Sequence, residues 1–447
     1  MNTLQAGFSR VDVTPMLGIG IAGYYVPRFA DGVLDPLQIN ALALACGEEK
    51  VVLMSIDHCG IVKEVLNPMI DHVCQVTGLP KEAVYIHSTH THTGPFLNYG
   101  PTDPLEIEYA QSVTRKFADA AKLALDDLQP ANMGWGIGDA PNIAFVRRFR
   151  MKDGSVRTNP GVDNPDILHP IGDVDERVNV LRFDRKDDSL VLVNFGNHPD
   201  VVGGCKISAD WPGFLRQSVE KALDNTKCIF FNGAQGDVNH VNVHPRGGYL
   251  NDMFMDFDDV ARGYKHARYM GRVVAGGVLQ AFDKVKYVDV DSIRFAQKFI
   301  DVPANLPDPS EIPEAKRIND LHNAGRDAEL PYSGMMLTTV VARAARMVRL
   351  ENGPDSFRMP LSAIAVGPIA MFGIPGEPFT GVGRALKEAE GYELVLPTCN
   401  TNAKEGYFPM LECYEEGGYE AGSSNFKAGV AELLIDAGLS LLEDLRK

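Results

Sequence analysis

Three of the eleven histidines, His87, His90 and His92, fall in the short segment HSTHTHTGP at residues 87–95, directly after the apolar run 84–88. In extended chain alternate side chains share a face, so His90 and His92 are expected on one side and His87 on the other. Two imidazoles so placed at a strand end can line one pocket, as a metal ligand with its acid–base partner or as two ligands. The threonines between them favour extended backbone, and Gly94-Pro95 then turns the chain. The plain alternative is a polar strand end with solvated histidines; the clustering favours chemistry. His87, alone on its face, reads as a core or supporting residue.

Two further residues are candidates. His198, in the NHPD turn at residues 197–200, lies just past the apolar run 190–195. Ligands gather at such strand ends in α/β proteins. Glu377, in Gly376-Glu377-Pro378, lies between an apolar strand and a helix expected from Thr380; a carboxylate there serves equally to complement the helix dipole. Two loops are rich in polar and turn residues: 231–242, punctuated by glycine, and 400–424, with Tyr407, Tyr414 and Tyr419 at no regular period. Unpatterned aromatic loops of this kind cover sites more often than they fill cores.

The elements that must position these residues read as strands at 51–57, 84–88, 178–183, 190–195, 228–231 and 293–300, with two more joined at Gly367-Pro368. Several are continuous apolar runs, the pattern of strands covered on both faces. A helix is expected from Asp103-Pro104 to about Leu128, opened by an N-cap aspartate and proline at the first position. Others should follow Trp211-Pro212 and cover 258–282, 380–390 and 425–445. Alternating strands and helices predict an α/β fold with a mixed sheet flanked by helices. The proline- and glycine-rich stretches 159–170 and 302–313 do not resemble flexible linkers, so residues 1–447 are expected to form one domain.

Composition narrows the function. A formal charge of −16 disfavours nucleic acid and anionic membrane as main partners. No apolar run reaches the length of a membrane-spanning helix, and no basic start followed by an apolar stretch marks a secretory signal. Seven scattered cysteines without a Cys-x-x-Cys pair argue against a disulfide framework; reduced thiols and a cytoplasmic location are expected. Gly18, Gly20 and Gly23 spell a literal GxGxxG, but Pro15 precedes it closely and Tyr24-Tyr25-Val26-Pro27 follows, so no strand–turn–helix for a dinucleotide is expected.

Five segments together resemble the neutral, non-lysosomal ceramidases: GFSRVDVTP at 7–15, THTHTGP at 89–95, the NHPD turn, Gly236-Asp237, and PGEPFTGVGR at 375–384. Their order matches that family, and the resemblance runs over nearly the whole chain, most weakly between 243 and 360. It implies a catalytic-domain fold and a zinc ion (Zn2+) bound by His90, His198, Glu377 and Tyr407. It assigns His92 as the second active-site histidine and Arg147 as the active-site arginine, and Tyr419, in a Tyr-Glu pair, as lining the site. The chain departs from the family at Asn239, where the family has its active-site serine, and it is expected to lack both the family's C-terminal β-domain and a secretion signal.

The resemblance therefore implies a zinc-dependent amidohydrolase that uses a metal-activated water rather than a serine. His92 would act as general base and then general acid, Arg147 and Tyr419 would donate to the oxyanion, and Asn239 would orient substrate or water. The expected partner is a small acylated molecule, without nucleic acid or integral membrane association; a homo-oligomer is compatible. A small polar ester, lactone or acylated sugar is the alternative substrate, and a zinc-binding homologue without activity the alternative class.

Overall fold

The computed structural model describes residues 3–97, 103–244 and 263–447. Its architecture is mixed α/β, as expected, and is built from helix-backed sheets whose inner faces share one core.

The first sheet contains β1 (Gln5–Asp12), β2 (Gln38–Cys46), β3 (Glu49–Ile56) and β4 (Val84–Ser88), backed by α1 (Lys63–Thr77) and α2 (Pro104–Asp126). Its strands are apolar on both faces: Ala41 and Ala43 pack toward the helices, Leu42 and Leu44 toward the shared core. The Asp103 side chain accepts from the Leu105 amide at 2.8 Å and caps α2 as its sequence implies.

The second sheet holds β5 (Asn132–Asp139), β6 (Arg177–Asp184), β7 (Ser189–Phe195) and β8 (Thr226–Asn232), backed by α3 (Asp210–Ala222) and α4 (Tyr264–Phe282). The third holds β9 (Ile293–Pro303), β10 (Ser356–Val366), β11 (Ile369–Gly373) and β12 (Leu394–Thr398). Between β9 and β10 the chain forms a helical hairpin, α5 (Ile312–Asn323) and α6 (Gly334–Leu350), with a small apolar cluster of its own. The helices α7 (Thr380–Lys387) and α8 (Val430–Arg446) cover the outer face of the third sheet.

All three sheets repeat one topology. Three strands meander antiparallel; a helix (α1, α3 or α7) then returns the chain, and the fourth strand pairs parallel with the third. No sequence period announces this repetition. Leu53, Phe183, Leu192, Phe231, Ile364 and Leu396 from the three inner faces pack in the shared core.

The structure moves some boundaries. The helix expected after Trp211-Pro212 begins at Asp210 and takes both residues into its first turn, a place proline tolerates. The helix expected over 258–282 is described from Tyr264; residues 258–262 lie outside the described segments. The last helix starts at Val430 rather than 425, after Gly429 in left-handed backbone. The stretch expected as a loop at 159–170 ends in a short strand, Ile167–Pro170, paired with Arg148–Met151. Among the described residues no helix is long and apolar enough to cross a membrane.

One buried ion pair ties the first two sheets together beneath the histidine segment. Arg216 on α3 donates to both carboxylate oxygens of Asp57, at 2.9 and 2.6 Å. Asp57 also receives the Gln38 amide at 3.0 Å. Replacing Arg216 with methionine leaves a buried carboxylate without its counter-charge. The expected loss is about 3–5 kcal/mol of unfolding free energy in urea titrations; a loss below 1 kcal/mol would show that the carboxylate finds another partner.

Candidate metal centre

The candidate residues meet where the parallel strand pairs end. His90 follows β4, His198 follows β7, and Glu377 follows β11. Nε2 of His90 and Nε2 of His198 each lie 3.2 Å from the same Glu377 oxygen, Oε2. The three ligand atoms fall within 4.8 Å of one another, and all three side chains are buried.

Backbone carbonyls fix both imidazoles. His90 Nδ1 donates to Cys59 O at 2.5 Å, and His198 Nδ1 faces Gln235 O at 2.8 Å and Val238 O at 3.0 Å. Each Nδ1 thereby keeps a proton, and each Nε2 is aimed at Glu377, the outer-shell arrangement typical of metal-ligating histidine. His198 Nε2 is buried and makes no hydrogen bond. A buried nitrogen with an idle lone pair is costly unless a cation occupies its direction, so the donor set fits a divalent metal of the kind bound by imidazole and carboxylate.

Electrostatics agree. Burial opposes charge on His90, yet the Glu377 carboxylate outweighs it and raises the imidazole to about 10. Burial likewise opposes ionised Glu377, but His90 and His198 hold it well below the usual carboxylate range. Glu377 thus holds positive charge beside it, on the His90 imidazole.

Tyr407 arrives by strand pairing. Glu377–Pro378 and Tyr407–Phe408 form a parallel two-stranded ladder with Glu377 opposite Tyr407. The Tyr407 ring stacks beside His198, centroids 6.4 Å apart, and the Arg147 guanidinium lies over the Tyr407 ring at 5.2 Å from its centroid.

His92 also joins the centre, though not by the expected alternation. β4 ends at Ser88, and His90 sits in left-handed backbone at φ 77°, a conformation non-glycine residues rarely adopt outside functional or strained sites. The bend swings the rings together, with His92 Nε2 3.2 Å from His90 Nε2. Burial, then the charge on His90, pushes His92 well below its ordinary value, so it stands neutral. His87 turns away: Nε2 accepts the Asn232 amide at 3.0 Å and Nδ1 meets Ser55 Oγ at 3.2 Å, a core role as expected.

The remaining expected site residues lie at varied distances. Tyr419 lines the cleft above the cluster, its hydroxyl 3.5 Å from that of Tyr25. Arg147 is buried behind Tyr407, with Nε 2.7 Å from Glu420 and Nη2 donating to Gly236 O at 2.6 Å. Arg148 points elsewhere, to Cys413 and Glu416. Asn239 is buried away from the cleft lining; its amide donates to Asn159 and its oxygen accepts from Val241 N.

The cleft measures about 290 Å³ and is lined by residues that sequence reasoning did not single out, among them Tyr25, Cys59, Lys404 and Arg349. Cys59 follows β3 at the same end as the other candidates, which is the signal that could have found it. The GxGxxG run forms a loop along this cleft, with no helix after it.

A buried two-histidine, one-carboxylate cluster at the strand ends of a helix-backed α/β fold is the class of centre found here. Neither a protein-family profile nor a curated protein matches the sequence. Solved structures do. Neutral ceramidase from Pseudomonas aeruginosa superposes with a TM-score of 0.73 at 17% identity, over 100% of this chain and 75% of that one. A ceramidase complexed with C2 superposes at 0.74 and 18%, over 100% and 76%. The chain has the neutral-ceramidase fold.

Gly23 lets the backbone approach His92: its φ is +106°, and a Cβ there would lie 2.7 Å from His92 Cγ. Gly23→Ala should cost about 1–3 kcal/mol in chemical denaturation and displace the His92 ring, read as a shifted imidazole resonance. An unmoved resonance would mean the loop yields instead.

Proposed function

We propose that the chain is a zinc-dependent hydrolase of acyl amides, with His90, His198, Glu377 and Tyr407 as the residues that would hold the metal. The observation that carries this reading is the buried convergence of two Nε2 atoms on one Glu377 oxygen, with His198 Nε2 otherwise idle. The ceramidase fold supports it, since a neutral ceramidase and a ceramidase complexed with C2 share the architecture. When bound, zinc supplies Lewis acidity and lowers the pKa of a water from about 15.7 to about 7.

The chain's own residues then divide the work. His92, neutral and beside the cluster, takes a proton from the attacking water at Nε2 and returns it to the leaving nitrogen. The Tyr419 hydroxyl, in the cleft, donates to the oxygen that gains charge. Arg147, bound to Glu420 and Gly236, braces the Tyr407 ring by a cation–π contact and does not line the cleft. Its role is to position Tyr407. Asn239 holds the loop that supplies a carbonyl fixing His198, Val238 O. Charged and phenolic side chains in the cleft favour a compact polar substrate over a long-chain lipid.

His90→Ala or Glu377→Ala should abolish both stoichiometric zinc, measured by elemental analysis, and turnover of acyl amides. His92→Ala should retain zinc while kcat falls about 10²- to 10⁴-fold. Loss of zinc from His92→Ala would make that residue a ligand and reverse the division of roles.

A further inference from the structure

We infer that the cleft selects acyl compounds bearing an oxyanion, a carboxylate in the simplest case, paired with Lys404 beside the metal centre. The inference rests on the hydrolase reading and names its substrate class. In a chain of net charge −16, two cations face this cleft, Lys404 and Arg349. Both carboxylates of the cleft are already engaged: Glu377 with the imidazoles, and Glu405 with Lys63 at 3.4 Å. Lys404 Nζ instead contacts Cys59 Sγ at 3.5 Å, and among the described residues no carboxylate forms an ion pair with it. Arg349 donates to a neutral acceptor, Asn425 Oδ1, at 2.5 Å.

The backbone makes room for this ammonium group. Gly60 has φ +146°, and a Cβ there would lie 2.5 Å from Lys404 Cδ. Cys59 Sγ lies 3.8 Å from His90 Nδ1, so Lys404 stands two contacts from the centre and lines the same cleft. A cation drawn out of water with no carboxylate paired to it is costly, and a bound anion offsets that cost. Phosphate sites draw on Arg forks and on helix N-termini. A single lysine is a point charge that serves carboxylate and phosphate alike, and the carboxylate is the simpler case.

The test pairs N-acetylated amino acids with their primary amides, and with phosphorylated counterparts, on the zinc-loaded protein. Wild type should favour the carboxylates about tenfold or more in kcat/KM. Lys404→Met should bring the ratio near one, and Lys404→Arg should restore part of it. Equal turnover of each pair by wild type, or an unchanged ratio in a Lys404→Met protein of native melting temperature, overturns the inference while the hydrolase reading stands. Preference for the phosphorylated members keeps the oxyanion and reassigns it to phosphate. If no acyl compound is turned over, the hydrolase reading falls, and calorimetry of N-acetyl amino acids on metal-free protein decides the rest. Binding weakened about tenfold in Lys404→Met supports the Lys404 site; binding equal to wild type overturns it.

Discussion

A carboxylate taken out of water between two imidazoles governs the structure around it. Stripping Glu377 of solvent costs several kcal/mol, a cost that positive charge and fixed geometry must offset. The protein supplies that geometry from separate parts of the chain. Three backbone carbonyls fix the protons of His90 and His198, and a short parallel ladder sets Tyr407 opposite Glu377. None of these contacts is local in sequence, so the site exists only when the whole core is assembled.

The assembly is a threefold repetition of one topology. Each unit ends in a strand pair running parallel, and parallel pairs present their carboxyl ends together, the place where α/β proteins gather ligands. Because the three sheets share one core, those three ends meet. Each unit contributes from its own end: His90 from the first, His198 from the second, Glu377 from the third. Asn232, ending β8, binds the second unit to the first, donating to Thr89 O at 3.1 Å and accepting Asn197 N at 3.2 Å.

Much of this was legible in the sequence, for physical reasons. Strands buried on both faces appear as unbroken apolar runs, so β3, β4, β7 and β8 could be read directly. Helix α2 carried its cap in Asp103-Pro104. Helix α1 did not: no side chain caps it, and Pro68 interrupts its interior. Helix α6 starts at Gly334, again without a capping side chain. The left-handed bend at His90 left no trace, since tertiary contacts hold that strain and residue type does not reveal it. Of two adjacent arginines only the structure separates Arg147, beneath Tyr407, from Arg148, turned to Glu416. Lys404 and Cys59 meet across most of the chain, beyond the reach of any spacing argument.

The hairpin of β9 and β10 pairs residue for residue from Ile293 with Val366 to Pro303 with Ser356, and everything between them is the α5–α6 insertion. A ladder so complete does not depend on what closes it, since added loop length costs little once the ends are pinned. Yet the insertion reaches the cleft, through Arg349 and through His322, whose Nε2 meets Tyr25 O at 2.9 Å. Evolution can therefore remodel one wall of the binding site by exchanging a peripheral module, leaving the ligand cluster and the register of every sheet untouched.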